Sequence, residues 1–554
     1  MGVLFFTSWL KLQQQKAKIS FIEDNNKHIE NLFIDANATL YNSYKLVYSE
    51  IGDKDIDKLE DLIIKKTLEH YDYVINIIKP KKDIYIAIDG IAPYSKITQQ
   101  RIRRYTSYIM DKNENNNIIW HPNSNISPST KFMKKFNEVL TEYCKKNNYI
   151  YSSYEHQGEG EHKIIQNIKS KYVNQNNVIY GNDTDIIFLS LISLLTKYKI
   201  NYDNPKNIYL FRFEEGKPIY FNVYKIKKLL IKYIKYIWYK NKIQYNISED
   251  EIILDFIILC FIIGNDFLQN IPFITAFKMN YIIKSYGESL NKFDKNLKTI
   301  LYKENNIYKI NYYNLSRFMR KLSKYELELF KNSYLDQTLM NHEHIISKKN
   351  KDFLKIEEIR NNQKDYNYFN NFNLINYLDE NNNINKDNIS KVYDILLTYK
   401  YDYYNYYLKN NNTILIDNML ENYMNGIDWT LNYYFNTNTT NILNAECLNW
   451  NWYYKFQCIP FISDISNYLR NNYNKNFHIE ELNNNKPLTF KEQLLYIIPL
   501  NNLKYIDNEL YEILLNNKFL SPDKFNIDTI HKNILWCCHC LVPLFDNEYI
   551  RNII

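Results

Sequence analysis

The stretch that decides the fold class is Val178-Ile179-Tyr180-Gly181-Asn182-Asp183-Thr184-Asp185, a short apolar run that ends in a polar turn. Its first three residues are β-prone, and an apolar helical pattern, Ile186–Leu195, follows the two aspartates. Two runs of the same kind, Leu32–Ile34 and Ile84–Ile88, lie upstream, with helical patterns between them. Strands that alternate with helices predict an α/β fold: a parallel sheet with helices on both faces.

An acidic residue follows each of these three strand-like runs. Because the carboxyl ends of parallel strands meet at one edge of a sheet, where open α/β folds bind ligands, we expect these acids to lie together. Two further acidic motifs, Gly158-Glu159-Gly160-Glu161-His162 and Gly264-Asn265-Asp266-Phe267, add carboxylates to the set. The candidates are seven: Asp35, Asp89, Glu159, Glu161, Asp183, Asp185 and Asp266.

Converging carboxylates repel one another unless a cation joins them, and hard divalent cations such as Mg²⁺ take oxygen ligands. Two ions held about 3.5–4 Å apart would activate water and stabilise the leaving oxygen of a phosphodiester. The alternative for any single acid is a surface charge or a helix cap. For Asp183 and Asp185, an Asx-turn and N-cap explain one aspartate but not both. The acidic clusters taken together therefore favour a metal site.

A basic helix is predicted shortly after Asp89, with Pro93 at its start. At about 100° per residue from Lys96, the side chains of Gln100, Arg103 and Arg104 fall at about 40°, −20° and 80°, on one stripe. Arg101, at about 140°, points away. Such a stripe suits a phosphate, since arginine supplies a planar fork and lysine a point charge. The alternative is a solvated basic face.

Composition restricts the function only weakly. The chain has 554 residues, and 69 Lys+Arg against 62 Asp+Glu leave a surplus of +7, which permits a nucleic-acid partner without requiring one. Seven cysteines without a disulfide pattern indicate a reducing, intracellular environment. Cys537-Cys538-His539-Cys540 lacks the Cys-x₂₋₄-Cys spacing of zinc ligands, so we expect no zinc there. The apolar run Ile252–Ile263 is too short to cross a bilayer, which predicts a buried helix and a soluble protein without membrane association.

The remaining sequence is mostly helical in pattern. The segment from Lys348 to Asn388 is rich in Asn, Lys and Asp without a sustained period, so we interpret it as a mobile linker or insertion. The clearest helical patterns are Leu59–Ile78, Phe132–Cys144, Asn222–Lys242, Val392–Leu408 and Ile414–Tyr434.

Taken in order, these motifs resemble those of the Xrn family of 5′→3′ exoribonucleases. The first half carries Leu32-Phe33-Ile34-Asp35-Ala36-Asn37, Asp89-Gly90-Ile91-Ala92-Pro93, Gln99-Gln100-Arg101-Ile102-Arg103-Arg104, Ile126-Ser127-Pro128, Gly158-Glu159-Gly160-Glu161-His162-Lys163, Tyr180-Gly181-Asn182-Asp183-Thr184-Asp185 and Gly264-Asn265-Asp266-Phe267-Leu268. The second half carries Gly426-Ile427-Asp428-Trp429, Tyr433-Tyr434, Trp450-Asn451-Trp452-Tyr453-Tyr454, Trp536 and Leu541-Val542-Pro543-Leu544.

The resemblance implies a processive hydrolase of single-stranded RNA with a 5′-monophosphate, which releases nucleoside 5′-monophosphates. It implies that the acids hold Mg²⁺ or Mn²⁺, as two ions, and that Lys96, Gln100, Arg103 and Arg104 grip the 5′-phosphate. The resemblance also implies that Tyr41, and either Trp450 or Trp452, stack on the first base. The alternative for each tryptophan is a place in the core. Tyr41 stands where the family usually has His, and a tyrosine can stack but cannot protonate the phosphate. We expect a monomer, cytoplasmic rather than nuclear.

The resemblance also implies a PIN-like, 5′-nuclease-like core with a mostly helical second region packed against it. We expect a catalytic region at 1–345, a linker or insertion at 346–390 and a second conserved region at 391–554. Two alternatives stay open: a structure-specific 5′ DNA nuclease of the flap type on a related core, and a catalytically inactive RNA-binding scaffold. The scaffold predicts eroded acids, whereas all seven are present.

Overall fold

The computed structural model describes residues 2–23, 28–113, 118–198, 206–343, 350–363, 374–409, 412–436, 448–479, 485–530, 532 and 535–554. Its main sheet has seven strands: β1 Ile22–Glu23, β2 Asn31–Asp35, β3 Ile84–Ala87, β4 Ile150–Ser152, β5 Asn177–Tyr180, β6 Ile208–Glu214 and β7 Lys217–Asn222. Two antiparallel pairs lie apart from it: β8 Leu301–Glu304 with β9 Ile307–Ile310, and β10 Ile527–Asp528 with β11 His539–Cys540.

The strand order is β1-β7-β6-β5-β2-β3-β4. The five strands from β6 to β4 are parallel, as predicted, and β2 lies at their centre, where Leu32 is opposite both Ile84 and Val178. The antiparallel edge was not predicted. It consists of β7 and β1, and β7 follows β6 in a hairpin whose Glu215 and Gly216 have φ of 49° and 76°. Positive φ at both central residues matches the right-handed twist of a hairpin.

Helices cover both faces of the sheet, as expected. The first half of the described chain contains α1 Phe6–Ala17, α2 Ala36–Ile51, α3 Ile56–Ile78, α4 Tyr94–Asn113, α5 Pro122–Asn125, α6 Lys131–Lys146, α7 Gly160–Lys171, α8 Asp185–Thr196, α9 Val223–Lys240 and α10 Glu249–Ile263. Alternate residues of β2 face opposite ways: Phe33 joins the core under α7 to α10, while Leu32 and Ile34 join the core under α2, α3 and α6.

The second half of the described chain is mostly helical, which confirms the prediction of a mostly helical second region. Its helices are α11 Met279–Ser289, α12 Tyr312–Leu322, α13 Glu326–Glu343, α14 Asn350–Asn362, α15 Ile389–Leu408, α16 Thr413–Leu431, α17 Ile462–Asn472, α18 Phe490–Ile497, α19 Leu500–Leu503, α20 Asn508–Asn516 and α21 Asn547–Arg551. A π-helical turn, Asn432–Asn436, continues α16.

The segment predicted as a linker contains part of this helical structure. Helix α14 buries Ile356 and Ile359, three residues apart on one face, in a small core with Tyr105, Cys538 and Val542. Its Arg360 donates to the carbonyl oxygens of residues 529 and 532. The low hydrophobicity of the whole segment hid this helix, because its Asn, Lys and Asp residues gave no sustained period. Residues 344–349 and 364–373 of the predicted linker lie outside the described residues.

Arg101 ties the second region to the first. Its side chain is fully buried, and its guanidinium donates to the carbonyl oxygens of Pro543, Tyr496 and Leu520 at 3.2, 2.5 and 2.5 Å. The guanidinium also lies over the rings of Tyr105 and Tyr496 at 4.7 Å. The Arg101 side chain was predicted to point away from the stripe of Lys96, Gln100, Arg103 and Arg104. In the structure it points toward the second region. Among the described helices, none is long and apolar enough to cross a membrane.

Candidate active site

The carboxyl edge of the parallel strands brings the predicted acids together. Asp35 ends β2, Asp89 follows β3, and Asp183 follows β5. The backbone N–H of Asp89 donates to Asn37 Oδ1 at 3.1 Å, which ties the ends of β2 and β3. Asp183 Oδ1 accepts from the Asp185 backbone at 3.2 Å, so the Asx-turn considered above is present. Asp183 and Asp185 still belong to the acidic cluster. The charge of Asp183 raises the pKa of Asp35, and the charges of Asp266 and Asp183 add to the effect of burial in raising the pKa of Asp185.

The start of α7 inserts two glutamates between these strand ends. Its Gly160 N–H donates to Asp89 Oδ1 at 2.7 Å. A Cβ on Gly160 would lie 2.9 Å from Asp35 Oδ1, so the close approach of helix and strand requires glycine. Glu159 and Glu161 flank this glycine, and both are buried.

Asp266 and Asp185 lie where the N-terminal segment contacts the acidic cluster. Asp266 follows α10, where Gly264 adopts a φ of 152° that brings the chain back against Asn270. Its Oδ1 accepts from the Gly2 N–H at 2.6 Å. A Cβ on Gly2 would lie only 1.7 Å from Asp185 Oδ1, so the N-terminal segment contacts the same acids.

The acids repel one another strongly. Burial raises the pKa of Asp35 well above its ordinary value, and the charges of Asp89 and Asp183 raise it further. Burial likewise raises the pKa of Glu161 well above its usual range, with Asp183 and Glu159 adding to the effect. Each of the seven predicted acids interacts electrostatically with at least one other, so the structure brings the whole predicted set into one cluster.

This donor set fits hard divalent cations. Its atoms are carboxylate oxygens, which Mg²⁺ and Mn²⁺ prefer, and their mutual repulsion would be relieved by positive charge. Asp185 Oδ1 is buried and has no hydrogen-bond partner. Ligand atoms of Glu159, Glu161 and His162 also lie within 4.8 Å of one another. The ring of His162 lies 4.0 Å from that of Tyr433.

Lys96 lies among the acids rather than at the edge of the cluster. Its Nζ is 2.7 Å from Glu159 Oε2 and 2.6 Å from Asp266 Oδ2. Burial alone would lower the pKa of this ammonium, but Asp266 and Glu159 outweigh burial and hold it well above its usual value. The first residue of the predicted phosphate-binding stripe is thus a charged partner of two acids in this structure.

The rest of the stripe lies on the same face of α4. Arg103 is exposed, whereas Arg104 is buried and donates to Ser127 Oγ at 2.5 Å. Gln100 is half-buried, and its Oε1 accepts from Gln493 Nε2 at 3.4 Å. The structure therefore places cationic side chains beside a buried acidic centre, as the helical spacing predicted.

Comparisons with known proteins agree with this site. The model of the XRN 5′-3′ exonuclease N-terminus matches residues 1–201, and the model of the Xrn1 helical domain matches residues 244–552. Together they include all seven acids and the whole of α4.

This chain belongs to the XRN 5′-3′ exonuclease family.

Curated relatives align along the chain at moderate identity. The 5′-3′ exoribonuclease 1 of Homo sapiens is 27% identical, with 99% of this chain and 34% of that protein covered. The protein of the same name from Saccharomyces cerevisiae is 30% identical, with 56% and 22% covered, and that from Schizosaccharomyces pombe is 22% identical, with 99% and 48% covered. The chain thus spans less than half of the length of each of these relatives. A solved Rad2 catalytic core with DNA has a TM-score of 0.32 and 13% identity, over 53% of this chain and 75% of that one, too little to support an argument.

The candidate base-stacking rings of this XRN-family chain differ in accessibility. Tyr41 is half-buried beside the stripe, where the charges of Arg104, Arg103 and Asp89 act on its hydroxyl. Trp450 and Trp452 are only 1% and 7% exposed. Both tryptophans are therefore buried in this structure, and base stacking by either of them stays a prediction.

The contacts of the two tryptophans match the core alternative. Trp452 stacks on Trp429, with ring centroids 5.3 Å apart, and a Cβ on Gly426 would lie 2.8 Å from the Trp452 ring. The carbonyl oxygen of Trp450 accepts from the Tyr94 N–H at 2.9 Å at the start of α4. Trp450 therefore anchors the second region against the basic helix.

Several partners of the acidic centre were not assigned a role from sequence. Lys163 Nζ donates to the carbonyl oxygens of Ile88 and Ser153 at 2.7 and 2.9 Å, and so fixes the chain just before Asp89. Arg212 donates to the carbonyl oxygen of Asp183 at 2.7 Å. Lys163 could have been found from sequence, since it ends the acidic motif that begins at Gly158. Arg212 could not, because it lies on a strand that the sequence patterns did not identify.

The second region also forms part of the wall beside the centre. A cavity of about 90 Å³ is lined by Asp266 and Arg103 from the first half of the chain and by Tyr454 and His539 from the second. Two adjacent tyrosines of the second region, Tyr433 and Tyr434, reach the acids themselves. The XRN-family site is thus assembled from both halves of the chain.

Proposed function

We propose that this protein is a metal-dependent, processive 5′→3′ exoribonuclease that hydrolyses single-stranded RNA with a 5′-monophosphate and releases nucleoside 5′-monophosphates. The observation that carries the proposal is the buried carboxylate cluster next to the exposed Arg103 and the buried Arg104, in a chain of this family. The names of the curated relatives support the same activity.

In this proposal the seven acids hold two divalent cations, Mg²⁺ or Mn²⁺. When bound, such cations supply an activated water molecule and neutralise charge on the leaving oxygen. The mutual repulsion among Asp35, Asp89 and Asp183 supports this assignment, because a cation would relieve it.

The basic stripe is assigned to the 5′-phosphate. Arg103 is exposed and free to form two parallel hydrogen bonds with phosphate oxygens. Arg104 contacts Ser127 with one nitrogen, which orients its guanidinium. Lys96 would share its charge between the phosphate and the acids, and Gln100 supplies a neutral amide. Burial and the neighbouring Arg103 lower the pKa of Arg104 to about 10, so it stays charged at neutral pH.

Tyr41 is assigned to stacking on the first base. Stacking on an aromatic ring tolerates every base, which suits an enzyme that degrades RNA without sequence preference. We further propose the division into a catalytic region at 1–345, a connecting segment at 346–390 and a second region at 391–554. Monomeric state and a cytoplasmic location likewise remain proposals, which gel filtration with light scattering and imaging of the tagged protein would test.

The decisive experiment uses purified protein with Mg²⁺ and RNAs that differ only at the 5′ end: monophosphate, triphosphate or hydroxyl. We expect the monophosphorylated RNA to be degraded to nucleoside 5′-monophosphates, and the other two to persist. A matched single-stranded DNA and a DNA flap serve as controls. Faster cleavage of the flap, or no hydrolysis of any RNA, would contradict the proposal.

A further inference from the structure

Two adjacent tyrosines reach the acidic centre from the second region. Tyr433 and Tyr434 lie in the π-helical turn Asn432–Asn436, which continues α16. The Tyr433 hydroxyl donates to Glu159 Oε1, and the Tyr434 hydroxyl donates to Asp185 Oδ2 at 2.6 Å. Single π-helical turns are rare and occur frequently at functional sites. Here the turn sends neighbouring hydroxyls to two different carboxylates of one cluster.

Side-chain hydrogen bonds hold the turn in place. Asn432 Nδ2 donates to Asp428 Oδ2 at 3.0 Å, and Asn436 Nδ2 donates to Asn432 Oδ1 at 2.7 Å. Asn436 also exchanges hydrogen bonds of 2.9 Å in each direction with the backbone of Tyr308 in β9. The turn is therefore fixed independently of the acids that its tyrosines contact.

The two rings are also fixed by packing. The ring of Tyr433 lies between those of His162 and Trp429, at centroid distances of 4.0 and 5.1 Å. The ring of Tyr434 lies 4.3 Å from that of Phe261 in α10. Both tyrosines are 1% exposed, so each hydroxyl has little freedom to leave its carboxylate.

Hydrogen bonds and an ion pair restrict how the carboxylates of Glu159 and Asp185 can turn. Tyr433 and Lys96 take the two oxygens of Glu159, which fixes the plane of that carboxylate. Tyr434 takes Asp185 Oδ2, while Asp185 Oδ1 is buried and has no hydrogen-bond partner. An acid held through one oxygen, with the other buried and unpaired, is oriented for a cation.

We propose that Tyr433 and Tyr434 are positioning residues that orient Glu159 and Asp185 for divalent cations, so that the second region completes the metal centre. Groups that hydrogen-bond metal ligands from behind typically change metal affinity by about 10- to 100-fold when removed. The inference rests on the proposed function, since it assumes that the acids bind cations. It adds that cation affinity depends on hydroxyls some 250 residues away in sequence from the acids they hold, as the separations of 274 and 249 residues show.

The test compares Tyr433→Phe and Tyr434→Phe with the wild-type chain. Each substitution keeps the ring and removes only the hydroxyl. We expect the affinity for Mn²⁺, measured by calorimetry without RNA, to fall about 10- to 100-fold in each variant. RNA binding in EDTA should be unchanged, and hydrolysis lost at low Mn²⁺ should be restored at high Mn²⁺.

Tyr423→Phe is the matched control. Its hydroxyl is also buried on α16 and donates to the carbonyl oxygen of Ile262 at 2.7 Å, away from the acids. This variant should bind Mn²⁺ like the wild type. Wild-type affinity in both test variants, or an equal loss in the control, would overturn the inference, as would a wild-type chain that binds no Mn²⁺. Wild-type Mn²⁺ binding without hydrolysis of 5′-phosphorylated RNA would instead overturn the proposed function and leave the inference to be decided by the affinities.

Discussion

Two buried acidic sites of this protein, Asp255 and the acidic centre, differ in their hydrogen-bond partners. Asp255, in the middle of α10, is 1% exposed and accepts hydrogen bonds from the backbones of Ile300 and Leu301 and from the hydroxyl of Tyr286, at 2.7–2.8 Å. Both of its oxygens are satisfied. The acidic centre a few turns away collects seven carboxylates and leaves Asp185 Oδ1 unpaired.

The difference shows how partners separate a structural acid from a functional one. Burial raises the pKa of Asp255 to about 7, although the donors around it lower the pKa in part. In the acidic centre, burial and the charges of other acids together raise the pKa of Asp35 and of Glu161 well above their usual values. The pKa of Asp266 is instead lowered, because the Lys96 ammonium beside it outweighs burial. Positive charge offsets such repulsion, and in this structure the Lys96 ammonium pairs with two of the acids, Glu159 and Asp266.

The same distinction applies to the arginines of α4. Arg101 directs all its bonds to carbonyl oxygens of the second region and holds the two halves of the chain together. Arg103, two residues on, is exposed beside the acids. Three substitutions test whether a buried, fully hydrogen-bonded acid differs in role from the acidic centre, and whether Arg103 differs in role from Arg101. They are given in order of expected effect.

Asp183→Asn should have the largest effect. Loss of one carboxylate charge from the centre should reduce single-turnover hydrolysis of 5′-phosphorylated RNA by at least about 100-fold, because charge stabilisation in the transition state depends on it. Binding of RNA in EDTA should be largely kept. Asp255→Asn, the same change at the satisfied acid, is the control and should retain turnover. Near-normal turnover in Asp183→Asn would remove the basis for the two-metal assignment.

Asp255→Ala should act on stability instead. The substitution leaves two buried N–H groups and one hydroxyl without an acceptor, which should cost about 3 kcal/mol and lower the melting temperature. Turnover measured well below that temperature should stay within about twofold of the wild type, since Asp255 does not contact the centre. Lost turnover in a fully folded variant would show that the two acidic sites are coupled.

Arg103→Ala should have the smallest effect of the three. Removing one charged partner of the 5′-phosphate should reduce the preference for 5′-phosphate over 5′-hydroxyl RNA by about tenfold, which corresponds to about 1.4 kcal/mol. Arg103→Lys keeps the charge without the planar fork. Its preference for 5′-phosphate RNA should therefore lie between that of the wild type and that of Arg103→Ala. The melting temperature should not change, because the side chain is exposed. An unchanged preference would mean that Arg103 only belongs to a solvated face.

Particular residues show how far the sequence could be interpreted. Asp35, Asp89 and Asp183 were predictable, because a short apolar run followed by an acid is a local pattern and parallel strands share one edge. The stripe of α4 was predictable from helical spacing alone. Arg212 was not, since it lies on β6, a strand that the sequence patterns did not identify and that pairs with β5 on one side and β7 on the other. Helix α14 was missed because it lies within a segment rich in Asn, Lys and Asp, and its burial depends on the small core that it shares with Tyr105, Cys538 and Val542.

By itself, the sequence determined the parallel core, the set of acids and the face of the basic helix, because each depends on neighbours within a few residues. Only the tertiary structure decided which tryptophans are buried, where Arg101 is anchored and which hydroxyls hold the acids. The contacts of Arg101 and of the two hydroxyls join residues more than 240 positions apart, as between Tyr434 and Asp185. No local periodicity encodes such a distance, because it is set by how the second region packs against the first.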